Sequence, residues 1–532
     1  MKSSLPARIP FCLLLAFSPL AAQEQVHKID GPVSNGEFGT AVAMGGDVDG
    51  DWRDDFIVGA PFDDSGPNGG GAAYVYSGET GQLLYALYGD WPGAEFGSAV
   101  AFVEDTNGDG IGEWLVGAPF AQINNNTTGA ARLFSGADGS ELVTLVGELP
   151  DDEFGWSVND AGDITGDGLS EFIIGAPLAD LEDPDGGRAY VFDGSDYSTV
   201  YIWSGDRAGD EFGWSVDGAG DVDGDGIPDL VVGARSGGIA GSLTGRVVVL
   251  SGADGRVIYT WDGEASNDRF GVSVAGLGDV DGDQVPDIAV GATKTDFTGN
   301  DVGSAYVFSG ATGLRLYRFD GTSDKENFGR WVEAAGDVDL DGDAEIFVGA
   351  YKNDEGASDA GKAFVYDGGT GSPLYQFLGE NGSDQFGYAL SGGGDLDGDG
   401  FPDVLVGARW DDDGGTDAGS VYAWRSDGMV LSIDGVLAGE TRTLSVIRAR
   451  ADSQVNFVYD FNQGTFAVGP FCPGAFVDMQ DPKLIQWVDT NPDGTASVSF
   501  PVPGSAASVR VLFQAVDVYA CRVSPLLIVT FG

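Results

Sequence analysis

Apolar residues along this chain fall in short runs separated by turns rich in Gly and Asp, without the sustained 3.6-residue periodicity that a helical domain needs. In the first clear unit, residues 38–44 predict one strand and Phe56, Ile57 and Val58 a second. Ala73, Tyr74, Val75 and Tyr76 predict a third, and Leu83, Leu84, Tyr85, Ala86 and Leu87 a fourth. Pairs such as Ile57-Val58 and Ile173-Ile174 are continuously apolar, the pattern of strands covered on both faces.

This unit repeats. Phe-Gly recurs at Phe38, Phe96, Phe154, Phe212, Phe270, Phe328 and Phe386, each step being 58 residues. Gly-Ala keeps the same interval at Gly59, Gly117, Gly175, Gly233, Gly291, Gly349 and Gly407. Seven copies of four short strands without an insertion predict an all-β, seven-bladed propeller over residues 25–430, because radial packing buries the sheet faces against neighbouring blades. Val26 and Ile29 lie 58 residues before Leu84 and Leu87, whereas Ser432 stands where the last copy needs its Leu84 equivalent. Residues 25–31 are therefore expected to supply the fourth strand of blade seven and to close the ring, which removes an open sheet edge.

Between the first and second strands lies an Asp-x-Asp-x-Asp pattern with a further carboxylate at the ninth position. Its copies are Asp47, Asp49, Asp51 and Asp55; Asp105, Asn107, Asp109 and Glu113; Asp163, Thr165, Asp167 and Glu171; and Asp221, Asp223, Asp225 and Asp229. Three more follow: Asp279, Asp281, Asp283 and Asp287; Asp337, Asp339, Asp341 and Glu345; and Asp395, Asp397, Asp399 and Asp403. Alternate residues of a tightly curled loop turn their oxygens inward, and calcium takes about six to eight such oxygens, so up to seven calcium ions are expected, one per blade. Magnesium suits the loops less well, since it demands a stricter octahedron. Solvated turns would need Asp and Gly, but not three or four convergent carboxylates seven times over. Gly at the sixth position permits the curl at Gly110, Gly168, Gly226, Gly342 and Gly400, while Trp52 and Gln284 must curl with a side chain there. Asn107 and Thr165 reduce the charge of the second and third loops, which are expected to bind more weakly, and Asp343 adds to the sixth.

Composition supports this picture. With 87 Gly, 22 Pro and 42% apolar residues, the 532-residue chain is too apolar for disorder and too turn-rich for a helical protein. A net charge of −58 makes nucleic acid an improbable partner. Residues 1–22 read as a signal peptide, with Lys2 and Arg8 before the apolar stretch 9–20 and Ala21-Ala22 at the cut. A secreted or cell-surface location is expected, and no later stretch is apolar enough to span a membrane. Beyond Cys12, only Cys472 and Cys521 remain, either a disulfide or two small buried residues.

The Phe-Gly, Gly-Ala-Pro and acidic-loop motifs together resemble the FG-GAP repeats of integrin α subunits and of their secreted bacterial relatives. Gly59-Ala60-Pro61, Gly117-Ala118-Pro119 and Gly175-Ala176-Pro177 match fully, while Arg235, Thr293, Tyr351 and Arg409 replace the proline elsewhere. The resemblance implies calcium loops on one face and ligand contacts on the other. That second face would carry loops such as residues 90–95 and 411–413. The unbroken period leaves no room for an inserted ligand-binding domain.

His27, on the closing strand, is the only histidine, so this chain builds neither a histidine triad nor a histidine zinc site. The expected function is noncatalytic and calcium-dependent, adhesive or protein-binding, toward an extracellular protein ligand. A sugar-binding propeller is the alternative: Trp156 and Trp214, just after Phe-Gly in successive blades, are candidates for stacking on a glycan at the central opening, or else for packing between blades. A carboxylate-based enzyme acting on polysaccharide is a third reading. Residues 431–532 lose the period but alternate in hydropathy, predicting a separate β-rich domain, taken as a small sandwich, with an anchoring, partner-binding or packing role.

Overall fold

The computed structural model describes residues 24–180, 184–238, 243–296, 299–339, 341–398 and 400–426, and beyond residue 429 the backbone of the strands alone. The signal-peptide reading, Asp399 and both Cys472 and Cys521 lie outside the described residues.

Each of the first six 58-residue units folds as four antiparallel strands in sequence order, and the seventh supplies three. Blade one is Ala41–Met44, Phe56–Ala60, Ala72–Tyr76 and Leu83–Tyr88. The described residues contain no helix. Second strands such as Glu171–Ala176 and Asp287–Ala292 are buried along their whole length, an apolar run behind one leading buried carboxylate. The first strands contact one another in cyclic order, and that of blade seven, Phe386–Gly392, touches that of blade one.

Ring closure follows the expectation. Glu24–Asp30 pairs antiparallel with Ser420–Arg425, setting Lys28 opposite Tyr422, so the chain's first strand completes its last blade. Val430–Ile433 pairs with Thr441–Ile447 and takes no part in blade seven. The strands after it form further antiparallel sheets.

The Phe-Gly motif is the seam between blades. Phe96 bridges to Gly71 of the preceding blade, and the same bridge recurs at Phe154 with Gly129 and four times more before Phe38 closes it on Gly419. Six of these phenyl rings meet other aromatic rings, Phe154 meeting Tyr190 edge-on at 5.4 Å, while Phe212 packs in a core cluster with Val248 and Leu250. Gly129 has φ +78°, and a Cβ there would stand 2.3 Å from the carbonyl oxygen of Phe154. The seam thus demands glycine for both conformation and space. Gly129→Ala is expected to destabilise the propeller by about 3 kcal/mol, read from the urea midpoint. A change within about 0.5 kcal/mol would show that the seam yields freely.

Candidate functional site

The acidic loops share one hydrogen-bonding scheme. The first Asp caps the loop backbone: Asp47 Oδ1 accepts the N–H of Gly50 at 2.6 Å and of Asp51 at 3.0 Å, and Oδ2 that of Trp52 at 2.7 Å. Asp163, Asp221 and Asp279 repeat this in their own loops. The fifth-position Asp accepts the seventh N–H, as Asp225 does from Ile227 at 3.0 Å. Trp52 and Gln284 take φ +69° and +71°, so both sixth-position side chains do occupy the left-handed region, at a cost.

The ninth carboxylate is a buried anchor. Asp55 is fully buried; its Oδ2 accepts the N–H of Val48 at 2.9 Å, and its Oδ1 that of Gly78, from the next turn of the blade, at 3.0 Å. Asp229, Asp287 and Asp403 do the same with Gly252, Gly310 and Ser426. The second loop position, a side chain that sequence reasoning passed over, plugs the core beneath: Val48, Ile164, Val222, Val280, Val338 and Leu396 are all buried. Its recurring apolar character between two acids was the available signal.

These anchors carry strongly perturbed acidities. Burial pushes Asp55 up to about 7, aided by the fields of Asp49 and Asp51. Burial raises Glu113 to about 7 and Glu345 to about 9, the latter with Asp339, Asp337 and Asp341 repelling it. Asp229 and Asp287 rise to about 6 for the same reasons. Carboxylates so crowded favour a nearby cation.

Convergence varies among the loops. Oxygens of Asp337, Asp339, Asp341 and Glu345 lie within 4.8 Å of one another, as do those of Asp47, Asp49 and Asp55, of Asp105, Asp109 and Glu113, and of Asp221, Asp223 and Asp225. Glu345 Oε1 and Asp223 Oδ1 are buried without a hydrogen-bond donor. In the second loop Asn107 donates to Glu113 Oε1 at 2.6 Å, and in the third Thr165 Oγ1 lies 3.4 Å from Glu171 Oε1. Arginines approach two others: Arg256 Nη2 is 2.6 Å from Asp223, and Arg425 Nη1 is 3.1 Å from Asp397. A further carboxylate group, Asp30, Asp411 and Asp413, is met by Lys28, 2.6 Å from Asp413 and 3.5 Å from Asp411.

On the opposite face, the first strands surround a cavity of about 580 Å³ whose lining includes Trp156, Trp214, Arg330, Trp331, Tyr388 and Arg409. Trp156 and Trp214 line this opening and also pack on each other across adjacent blades; their rings are 4.4 Å apart, and the Arg235 guanidinium lies 3.0 Å from the Trp214 ring centre. Deeper in, burial pushes Glu333 up to about 7, and burial together with Glu333 raises Asp217 well above the carboxylate range. No helix among the described residues is long and apolar enough to cross a membrane.

The family described as FG-GAP repeat matches residues 38–76, 154–192, 212–250 and 386–424. Integrin alpha-5 of Xenopus laevis is 33% identical over 217 residues, 38% of this chain and 20% of that protein. Integrin alpha-PS2 of Drosophila melanogaster is 34% identical over 208 residues, 35% of this chain and 14% of that protein. Integrin alpha-V of Gallus gallus is 33% identical over 200 residues, 35% and 19% of the two chains. The chain therefore spans a fifth or less of the length of these relatives. A solved fungal alcohol oxidase of the AA5 family, in complex with copper, aligns over 96% of this chain and 99% of its own at 13% identity and a TM-score of 0.42, too distant to bear on chemistry. Matched repeats in four blades and the same motifs in phase in all seven make this chain a β-propeller that carries FG-GAP repeats and is similar to integrin α subunits over a little more than a third of its length.

Proposed function

We propose that this protein is an exported, noncatalytic binding module whose acidic loops hold calcium and whose opposite face meets a protein ligand. The observation that carries the reading is the buried, donor-less carboxylate oxygen of Glu345 inside a four-carboxylate loop, repeated in weaker form around the ring. Bound there, calcium would supply positive charge that offsets this repulsion; it takes no part in any covalent step. The first, third, fifth and ninth side chains would hold it, with Asp337, Asp339, Asp341 and Glu345 the strongest set and the Asn107 and Thr165 loops the weakest. Division into a signal peptide at 1–22, a propeller at 25–430 and a β-rich domain at 431–532 belongs to the same reading.

Protein recognition is favoured over sugar stacking because Arg235 already covers a face of Trp214, whose ring also packs on Trp156. Calorimetric titration with calcium is expected to show several sites of unequal affinity, with Glu345→Gln removing the tightest. Calcium-dependent capture of a protein ligand from the native extracellular milieu tests the binding role, and glycan-array binding abolished by Trp156→Ala would replace it with a lectin.

A further inference from the structure

First strands run from Phe-Gly toward the acidic loops and second strands return to Gly-Ala-Pro, so both motifs stand at the face away from those loops. At this face three of the four residues that replace proline, Arg235, Tyr351 and Arg409, stand with Arg330 and Tyr388. Tyr388 sits at the centre: the Arg409 guanidinium lies 3.9 Å and that of Arg330 4.6 Å from its ring centre, and Tyr351 meets it edge-on at 5.4 Å. Arg409 is engaged by Gln385 at 2.9 Å and by Glu37 at 3.5 Å, and Arg235 by Glu211 at 2.5 Å.

Arg330 differs. Among the described residues no carboxylate lies within 4.0 Å of it, and its guanidinium makes one hydrogen bond, to Tyr388 Oη at 3.1 Å. A guanidinium has five N–H donors in a fixed fork that matches a carboxylate, so most of this fork is open to the cavity it lines. Of the carboxylates in the lining, Glu37 stands 3.5 Å from Arg409, and burial holds Glu95, Asp160, Asp217 and Glu333 toward their protonated forms, with the field of Glu333 adding to burial at Asp217.

We propose that the mouth of the central cavity, at Arg330 and Arg409 around Tyr388, binds a carboxylate side chain presented by an acidic segment of a partner protein. The inference rests on the protein-binding reading and adds its chemistry. A carboxylate bridging the two guanidiniums would complete the Arg330 fork, and the flanking Trp214 and Tyr351 would exclude water around it. An acidic glycan fits less well, since its sugar rings would need the aromatic faces that Arg235, Arg330 and Arg409 already cover. Burial and Glu37 oppose ionisation of Tyr388, yet Arg330 and Arg409 more than offset them and bring the phenol below its ordinary range, so the phenol reports on both guanidiniums.

Titration of the full chain in calcium with a heptaglutamate peptide, followed by tryptophan emission, tests this. Saturable binding is expected, weakened about tenfold or more by Arg330→Gln and by Arg409→Gln and reduced in about 0.5 M salt, with heptalysine not binding. Arg330→Lys is expected to recover part of the affinity, because it restores charge without the fork. Each variant is compared at an unchanged melting temperature. As a second readout, Arg330→Gln should move the Tyr388 phenol titration to higher pH by ultraviolet difference absorption. Absence of saturable heptaglutamate binding, equal binding by Arg330→Gln, an unmoved Tyr388 titration or preference for an oligogalacturonate would each overturn the proposal. Capture of a native protein ligand that proceeds equally with Arg330→Gln would sink this site while sparing the protein-binding reading; failure to capture any protein would sink that reading, with the peptide titration still judging the site.

Discussion

Deletion of residues 25–31 is expected to cost the propeller about 5 kcal/mol and lower its melting temperature by on the order of 5 to 10 °C, since it removes roughly five net hydrogen bonds of about 1 kcal/mol each. The closing strand does more than pair with Ser420–Arg425. Lys28 Nζ reaches Asp413 at 2.6 Å and Glu380 at 2.9 Å, and stands 4.9 Å from the Tyr422 ring centre. Asp411, fully buried, accepts the Tyr422 hydroxyl at 2.6 Å and has Lys28 at 3.5 Å, so deletion leaves a buried carboxylate without its cation. His27 Nε2 lies 2.7 Å from the carbonyl oxygen of Gly78, tying the strand to blade one across the closure. The bared edge of Ser420–Arg425 should also self-associate, so light scattering on warming is expected to rise with protein concentration. An unchanged melting temperature by calorimetry would mean that the ring holds itself shut without this strand.

Removal of divalent cations is the second large effect expected. If each of about four well-formed loops is occupied at 100 times its dissociation constant, each contributes about 2.7 kcal/mol, and excess EGTA should lower the melting temperature by on the order of 10 °C. The loss should fall first on the hairpins. The first Asp of each loop already caps its backbone, and the ninth is pinned in the core, so the loop persists as a shape while its carboxylates repel. Re-addition of calcium should restore the transition, and magnesium should restore less of it. Full thermal stability in EGTA would remove the structural role assigned to the metal.

Most of the scaffold was legible because each blade is a local object. Phe38, Gly59 and Tyr74 recur every 58 residues, and a hairpin reports its own strands and turn through spacing. Val26 and Ile29, in phase with Leu84 and Leu87, announced the closing strand before any coordinates did. The acidic loops were legible as sets of acids, yet spacing did not reveal that the ninth acid is an anchor. Its partner Gly78 arrives only when the third and fourth strands fold back beside the loop. Trp156 and Trp214 were legible as aromatic residues that either line the opening or pack between blades, and they do both; which partners they meet, each other and Arg235, is a tertiary fact.

The sequence by itself therefore determined seven in-phase blades, the acidic loops between their first two strands and the closure by an N-terminal strand, since each of these is a matter of local period and phase. Only the tertiary structure decided which side chains share the axis. Arg330 and Tyr388 stand 58 residues apart, and Arg409 lies in the turn just after the strand Val404–Ala408, yet all three meet at one mouth. Their meeting depends on how seven twisted sheets pack around a centre, and a repeat read one unit at a time contains no term for the distance between equivalent positions of neighbouring units.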